Sequence, residues 1–225
     1  MILSIETSTT VCSAALHDNE KLVAFEITHV PNSAASQLAV MIDKLLKQQP
    51  GKLQAVAVSS GPGSYTGLRI GVATAKGICY ALSIPLIAVN SLELMAWQVH
   101  SSQHAPRTPE FLCPMIDARR MEVYTMLFDS SMDVMETVQA RIIDASSYSE
   151  VLNYRRVLFF GNGSDKCKST IVHPNAVFID SIFPSAEWMG AIAARRFREN
   201  RFEDVSDFEP AYLKDFIAKK PKSLV

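Results

Sequence analysis

Along the first hundred residues the spacing of apolar positions switches from two to nearly four and back. Ile2 to Ile5, Val11 to Leu16 and Leu22 to Ile27 are short apolar or alternating runs. Thr7-Ser-Thr-Thr10 and Asp18-Asn-Glu-Lys21 separate them, which predicts a three-stranded antiparallel meander. From Asn32 or Ser33 the period lengthens: Leu38, Met41, Ile42, Leu45 and Leu46 fall on one helical stripe that stops at Pro50-Gly51. Leu53 to Val58 is almost entirely apolar, the pattern of a strand covered on both faces, and it runs into Ser59-Ser-Gly-Pro-Gly-Ser-Tyr-Thr-Gly67. A helix to about Leu82 and a strand from Leu86 to Val89 follow. Asn90 with Glu93 then forms a capping pair that opens a helix to about Val99.

The order β-β-β-α-β-α-β-α predicts a mixed sheet with helices packed on it. Ribonuclease-H-like domains and each half of actin-like ATPases share that order. Ser101 to Glu110 is polar and proline-bearing and marks a boundary between a lobe spanning 1–104 and a smaller one spanning 105–225. In the second half, Phe111 to Asp117 and Met121 to Phe128 read as strands joined by a tight Ala118-Arg-Arg120 connection. Val157 to Phe160 is another strand, ended by Gly161-Asn-Gly163. Ser185 is the expected cap of a helix from Ala186 to about Asn200, which is placed to pack back on the first lobe. The expected class is therefore α/β, an actin-like (ribonuclease-H-like) fold of two lobes, each a mixed sheet with flanking helices.

Composition narrows the chemistry. The chain has 225 residues, 48% hydrophobic and 20% charged, which excludes disorder, collagen and coiled coil. A chain of this size buries roughly 70% of its unfolded surface and needs neither metals nor disulfides to fold. Its net charge of −1 removes the broad field by which many proteins bind nucleic acid unaided, so a partner is expected to supply it. Cys12, Cys79, Cys113 and Cys167 form no CxxC pair and read as buried thiols. No targeting segment is recognised at Met1, and Lys76 and Pro85 break the apolar stretch from Ile70 to Val89, so the expectation is a cytoplasmic protein with no membrane span.

Gly61-Pro-Gly-Ser-Tyr-Thr-Gly67, between a buried strand and a helix, suits an anion, because the helix start presents unpaired amides and a positive dipole end. It lacks the Lys and Ser/Thr of a Walker loop and the glycine spacing of the dinucleotide fingerprint, and a plain sharp turn explains the glycines equally well. Glu6-Thr-Ser-Thr-Thr10 lies where actin-like ATPases hold phosphate, with Glu6 in place of the metal-holding Asp. Thr7, Ser8, Thr9, Thr10, Gly61, Gly63 and Ser64 are thus the candidate anion or nucleotide residues. Gly67, Gly71, Ala75 and Cys79 recur every four residues, with Gly77 also inside the helix. Close packing on the chain's own sheet accounts for such a stripe. So does a subunit interface made with the first helix, whose candidate positions are Ala34, Ala35, Leu38, Ala39 and Ile42. The five histidines form no HxxxH or HExxH pair, no serine lies in a GxSxG elbow, and no metal site is expected. Arg195, Arg196, Arg198 and Arg201 cluster at the end of the last helix, either to meet phosphate or as a solvated face favoured by the helix dipole.

Four segments then resemble one family: Ile2-Leu-Ser-Ile-Glu-Thr-Ser-Thr9, Ser60-Gly-Pro-Gly-Ser-Tyr-Thr-Gly-Leu-Arg-Ile-Gly71, Ile116-Asp-Ala-Arg119 with Glu122-Val-Tyr124, and Pro210-Ala-Tyr-Leu-Lys214. They look like the TsaB (YeaZ) family. The resemblance implies a non-catalytic relative of TsaD that works in making threonylcarbamoyladenosine next to the tRNA anticodon. It implies a TsaD-like partner met through the first helices, a homodimer when alone, a TsaE-like ATPase joining the pair, and tRNA met mainly through the complex. No cofactor is implied as a requirement, and any ATP bound by this lobe is expected to bind weakly, the partners being its main holders. Ala34 and Leu38 stand where TsaD carries its two metal-binding histidines. Family members commonly have His-Ser where this chain has Ala34-Ala35, and the stretch 133–181 contributes nothing to the match. The alternatives are a small-molecule kinase or ATPase of the same fold and a homodimeric binding protein without a tRNA role.

Overall fold

The computed structural model describes residues 1–105 and 110–213; part of the expected boundary segment, Lys214 and the basic tail lie outside the described residues. The meander is present as β1 (Ile2–Glu6), β2 (Cys12–Asp18) and β3 (Lys21–Thr28). With β4 (Ala55–Gly61) and β5 (Leu86–Asn90) it makes a sheet in the order β3-β2-β1-β4-β5. β1 pairs antiparallel with β2 and parallel with β4. Parallel neighbours need a crossover, and helices α1 (Ala34–Gln48) and α2 (Tyr65–Leu82) supply the connections into β4 and β5.

Alternation along β4 decides which helices sit where. Val56 and Val58 face α1 and α2 together with Leu3, Ile5, Leu38, Leu45 and Val72. Ala55 and Ala57 face the other way, where Ile87, Val89, Met189, Ile192 and Ala193 pack. Helix α5 (Gly190–Arg198) thus returns to cover the first sheet from the small-residue side.

A second sheet has the order β10-β9-β6-β7-β8, from β6 (Phe111–Asp117), β7 (Glu122–Phe128), β8 (Val134–Ile142), β9 (Val157–Phe160) and β10 (Ala176–Ile179). The tight connection after β6 holds Arg119 and Arg120 at φ 73° and 50°. β8 and β10 are edge strands, exposed or half-buried along their length, and neither is among the strands read from the sequence. Helix α3 (Ser91–His100) lies between the sheets: Leu94 joins the core of the first, while Leu92, Met95, Ala96 and Val99 join that of the second. The four-residue α4 (Ser149–Leu152) adds Leu152 to the far face of the second sheet. Two mixed five-stranded sheets with flanking helices are the actin-like α/β architecture read from the sequence.

Two local expectations are corrected. Asn90 caps α3, its Oδ1 accepting from the Leu92 and Glu93 amides at 2.8 and 3.2 Å, but the Glu93 carboxylate turns to Arg195 and Arg196 instead of back to the cap. Ser185 caps nothing: Ala186–Trp188 is a single 3₁₀ turn, and α5 starts at Gly190. The Ala186 amide donates to Ser13 Oγ on β2 at 2.9 Å. The buried His17 ring also holds this turn: Nε2 lies 3.1 Å from the Glu187 carbonyl and therefore carries the proton, and Nδ1 accepts from Ser4 Oγ at 3.1 Å. A Cβ at residue 190 would strike the His17 ring, so the helix can begin only where the chain is glycine. Ser13→Ala strands the buried Ala186 amide and is expected to cost about 1–3 kcal/mol, read from the midpoint of urea unfolding.

Candidate functional site

The two turns singled out for phosphate meet each other. Ser64 donates its amide to the Ser8 carbonyl at 2.6 Å, and its hydroxyl caps α2 by accepting from the Gly67 amide at 3.2 Å. A Cβ at Gly63 would collide with the Ser8 carbonyl, one at Gly67 with the Thr7 carbonyl, and one at Gly71 with Thr7 Oγ1. Thr7 and Ser8 are buried, Thr9 is half-buried and Thr10 is exposed. The sequence places Thr7, Ser8, Gly61, Gly63 and Ser64 in a phosphate cradle; the structure brings them together but fills the gap between them with their own backbone.

The C-terminal segment closes the outer side. Ala211 donates its amide to the Ser60 carbonyl at 2.8 Å, and Gly61, at φ 103°, leaves no room for a side chain beneath the Ala211 carbonyl. Tyr212 packs on Tyr65 with ring centroids 4.8 Å apart. Arg69 binds both rings, its guanidinium 4.4 Å from the Tyr65 centroid and its Nε donating to the Tyr212 hydroxyl at 3.2 Å.

Beneath these turns lies Glu6, fully buried. Its Oε1 accepts from the Ser8 amide at 2.5 Å, whereas Oε2, Thr7 Oγ1 and Ser8 Oγ have no hydrogen-bond partner among the described residues. Burial pushes the Glu6 carboxyl up to about 7, with the hydrogen bonds from Ser8 offsetting part of the effect. The same burial, together with the Glu6 charge, pushes the neighbouring Cys12 thiol up to about 11. A carboxyl that holds its proton to near neutrality is poorly suited to gripping a magnesium ion, which demands anionic oxygen.

That shift makes stability depend on pH. The folded carboxyl binds its proton more tightly than the unfolded one, so folding takes up a proton across the window from about 4.5 to about 7. The stability is present at the acid end and is lost as pH rises through about 7. Between pH 5 and pH 8 the wild-type chain should lose up to about 3 kcal/mol that Glu6→Gln keeps, measured by urea unfolding of both across the range.

The small-residue stripe of α2 is sealed by the chain itself. Gly67 and Gly71 sit on the Thr7 turn, and Ala75 and Cys79 are 0% and 1% exposed in the core under the first sheet. Leu38 and Ile42 of α1 are likewise core residues. Of the expected interface positions, Ala35 and Ala39 are exposed and Ala34 is half-buried; the other six are occupied by the chain's own packing. The outward row on α2 is instead Ala73, Gly77, Tyr80, Ala81 and Leu82. A Cβ at Gly77 would meet nothing within 4 Å. The two interior glycines therefore separate cleanly. Gly71→Val should destabilise the fold by about 3 kcal/mol or more through the clash with Thr7, while Gly77→Ala should stabilise it by about 1 kcal/mol through helix propensity, both read from thermal and urea unfolding.

The terminal arginines have partners of their own. Arg196, largely buried, donates to the Ala88 carbonyl and pairs with Glu93 at 2.5 Å. Arg195 reaches Glu93 at 3.3 Å, Arg198 reaches Glu20 at 3.0 Å and Arg201 reaches Glu199 at 3.6 Å. They tie α5 to the first sheet's edge and to α3. Among the described residues no three His, Cys, Asp or Glu side chains converge as a metal-binding group, all four cysteines are buried, and no helix is long and apolar enough to cross a membrane.

With the geometry in place, the comparisons agree with the architecture. A family model described as TsaD, tRNA N6-adenosine threonylcarbamoyltransferase, matches residues 29–225. The tRNA threonylcarbamoyladenosine biosynthesis protein TsaB of Bacillus subtilis is 32% identical over 76% of this chain and 74% of its own. The Escherichia coli protein of the same name is 29% identical over 97% and 96%. A crystal structure of an uncharacterised Pseudomonas aeruginosa protein with similarity to peptidase YeaZ superposes with a TM-score of 0.82 at 25% identity, covering 95% of this chain and 99% of that one. The chain belongs to the TsaB (YeaZ) family and carries a TsaD-type domain over residues 29–225.

Proposed function

We propose that this chain acts in tRNA threonylcarbamoyladenosine biosynthesis as a non-catalytic subunit that pairs with a TsaD-like protein through the outward faces of α1 and α2. The observation that carries this reading is a group of large apolar side chains left exposed on these two helices. Tyr80 is 84% exposed, Val40 61% and Leu82 53%, set among Ala35, Ala39, Ala73 and Gly77. Large apolar side chains interleaved with small ones on adjoining helices let two backbones approach closely, and the open space over Gly77 gives that glycine a purpose the monomer lacks. A second copy of the chain would use the same face when the partner is absent. The TsaE-like ATPase would join the pair, and tRNA would be met mainly through the complex, since a net charge of −1 gives this chain no broad attraction for nucleic acid.

Several features support a non-catalytic role. The carboxyl at the metal-holding position retains its proton to about 7, the two turns are packed on each other, and the C-terminal segment lies over the glycine loop. The same features count against the kinase or ATPase alternative. Such a role places the chain in the cytoplasm with its tRNA substrate.

The test is reconstitution. Omitting this chain should leave little or no modified tRNA. Gly77→Arg and Ala39→Arg, both on exposed positions, should abolish co-purification with the TsaD-like protein while leaving the melting temperature within a few degrees of wild type. Normal pairing by both variants, or submicromolar binding and turnover of magnesium ATP by the isolated chain, would reject the reading.

A further inference from the structure

Where the two halves meet, the structure forms a partly open cavity of about 260 Å³, near the ~300 Å³ lower end of small-molecule sites and at the kind of junction where such sites occur. It is walled by α3, α5, β7 and the turn into β8, none of which belongs to the α1/α2 face. Its two sides differ in chemistry. Trp97, Phe128, Met132 and Ile192 form an apolar wall. Arg195, Arg196 and Arg201 stand opposite, and Glu93 is the only acid among the described residues that line it.

The charges there do not balance. Glu93 is one carboxylate shared by two guanidiniums, closely with Arg196 at 2.5 Å and loosely with Arg195 at 3.3 Å. Arg201 meets Glu199 at 3.6 Å, with both side chains mostly in solvent, a pair worth little. Arg196 also donates to the Ala88 carbonyl, and its Nε is buried with no hydrogen-bond partner among the described residues. Three guanidiniums against Glu93 and Glu199 leave one positive charge over, and a guanidinium binds carboxylate or phosphate oxygens in pairs.

The apolar wall is held in place at some cost. Met132 sits at φ 69°, left-handed backbone that a side chain rarely adopts, in a turn closed by the Asp129 carboxylate accepting from the Ser131 and Asp133 amides at 2.8 and 2.9 Å. That conformation carries the flexible thioether onto Phe128 and its neighbours, where it can adapt to a bound apolar group.

We propose that this cavity is a binding site for a small amphiphilic anion, its single negative head held by Arg195, Arg196 and Arg201 and its apolar body lying against Trp97 and Met132. Carboxylate and phosphate heads share this chemistry. The site is independent of the pairing surface, so its failure and the failure of the proposed function are separately visible.

The chain has two tryptophans, and Trp188→Phe leaves Trp97 as the sole fluorophore. In that background the full-length protein is titrated with 4-phenylbutyrate, phenyl phosphate and the neutral 4-phenylbutyramide. The expected result is a saturable change in Trp97 emission with at least one of the two anions, below about 1 mM, and little or none with the amide. Arg195→Gln should weaken that binding roughly tenfold, as expected for losing one charge-assisted contact. Val134→Glu, on an exposed rim position, should weaken it as well while leaving the melting temperature unchanged. The tighter of the two anions assigns the head group. Equal binding of the amide, no saturation with either anion, or affinity untouched by both substitutions would overturn the proposal.

Discussion

The arrangement depends on a backbone contact: the turn after β1 lies directly against the start of α2, with the Ser8 carbonyl on the Ser64 amide and the glycines at 63, 67 and 71 beneath Thr7 and Ser8. Each interior helix glycine costs roughly 1 kcal/mol of helix propensity, so the contact persists only because the approach returns more. What it returns is burial. With no Cβ between them, α2 drops onto the sheet far enough for Val72, Ala75 and Cys79 to join Leu3, Ile5 and Val58 in one core. The two turns pack on each other, and burial raises the carboxyl of the acid below them to about 7.

The second constraint is that the two sheets share a helix. Because α3 gives Leu94 to one core and Leu92, Met95 and Val99 to the other, it is apolar nearly all round, and its few polar groups must be spent at its ends. Asn90 serves the first turn, and Glu93 faces the returning α5, where Arg196 and Arg195 receive it. The polar cost of placing α5 beside α3 is thereby met within the pair, and the surplus positive charge is left at the edge of the junction cavity.

Much of this was legible in the amino-acid order. Buried strands announced themselves because both faces are covered: Val56 to Val58 cannot be polar on either side. The helix at Ser33 was legible from its period, and the glycine loop from its density of turn-forming residues. Strand β8 was illegible because an edge strand exposed along much of its length mixes polar and apolar residues, and β10 because four apolar residues are too few to show a period. The start of the last helix was misread for a different reason. The Ala186 amide, where the helix was expected to begin, is satisfied by Ser13, 173 residues away, and Gly190 is dictated by His17, neither of which a local reading of Ser185 can reveal. The every-fourth-residue stripe of α2 carried two explanations from the outset, and only depth in the fold separates them. Gly71 is small because Thr7 presses on it, whereas nothing in the chain presses on Gly77.

That contrast bears on how a lobe of this fold changes occupation. A catalytic cleft needs solvent access, charged oxygens and freedom to open. Packing the Thr7 turn on the glycine loop and laying Ala211 over Gly61 narrow access, and enclosing Glu6 raises its carboxyl to about 7. Both changes add buried surface and tighten the lobe. A tighter lobe in turn holds the outward row of α2 in fixed register, because that helix is pinned on the Thr7 turn by Gly67 and Gly71. Rigidity below and small residues above are what a recognition surface requires, since less side-chain and backbone freedom is then lost on association. Under the proposed pairing, the packing of the two turns on each other is therefore the physical condition for a binding face on the helix above them.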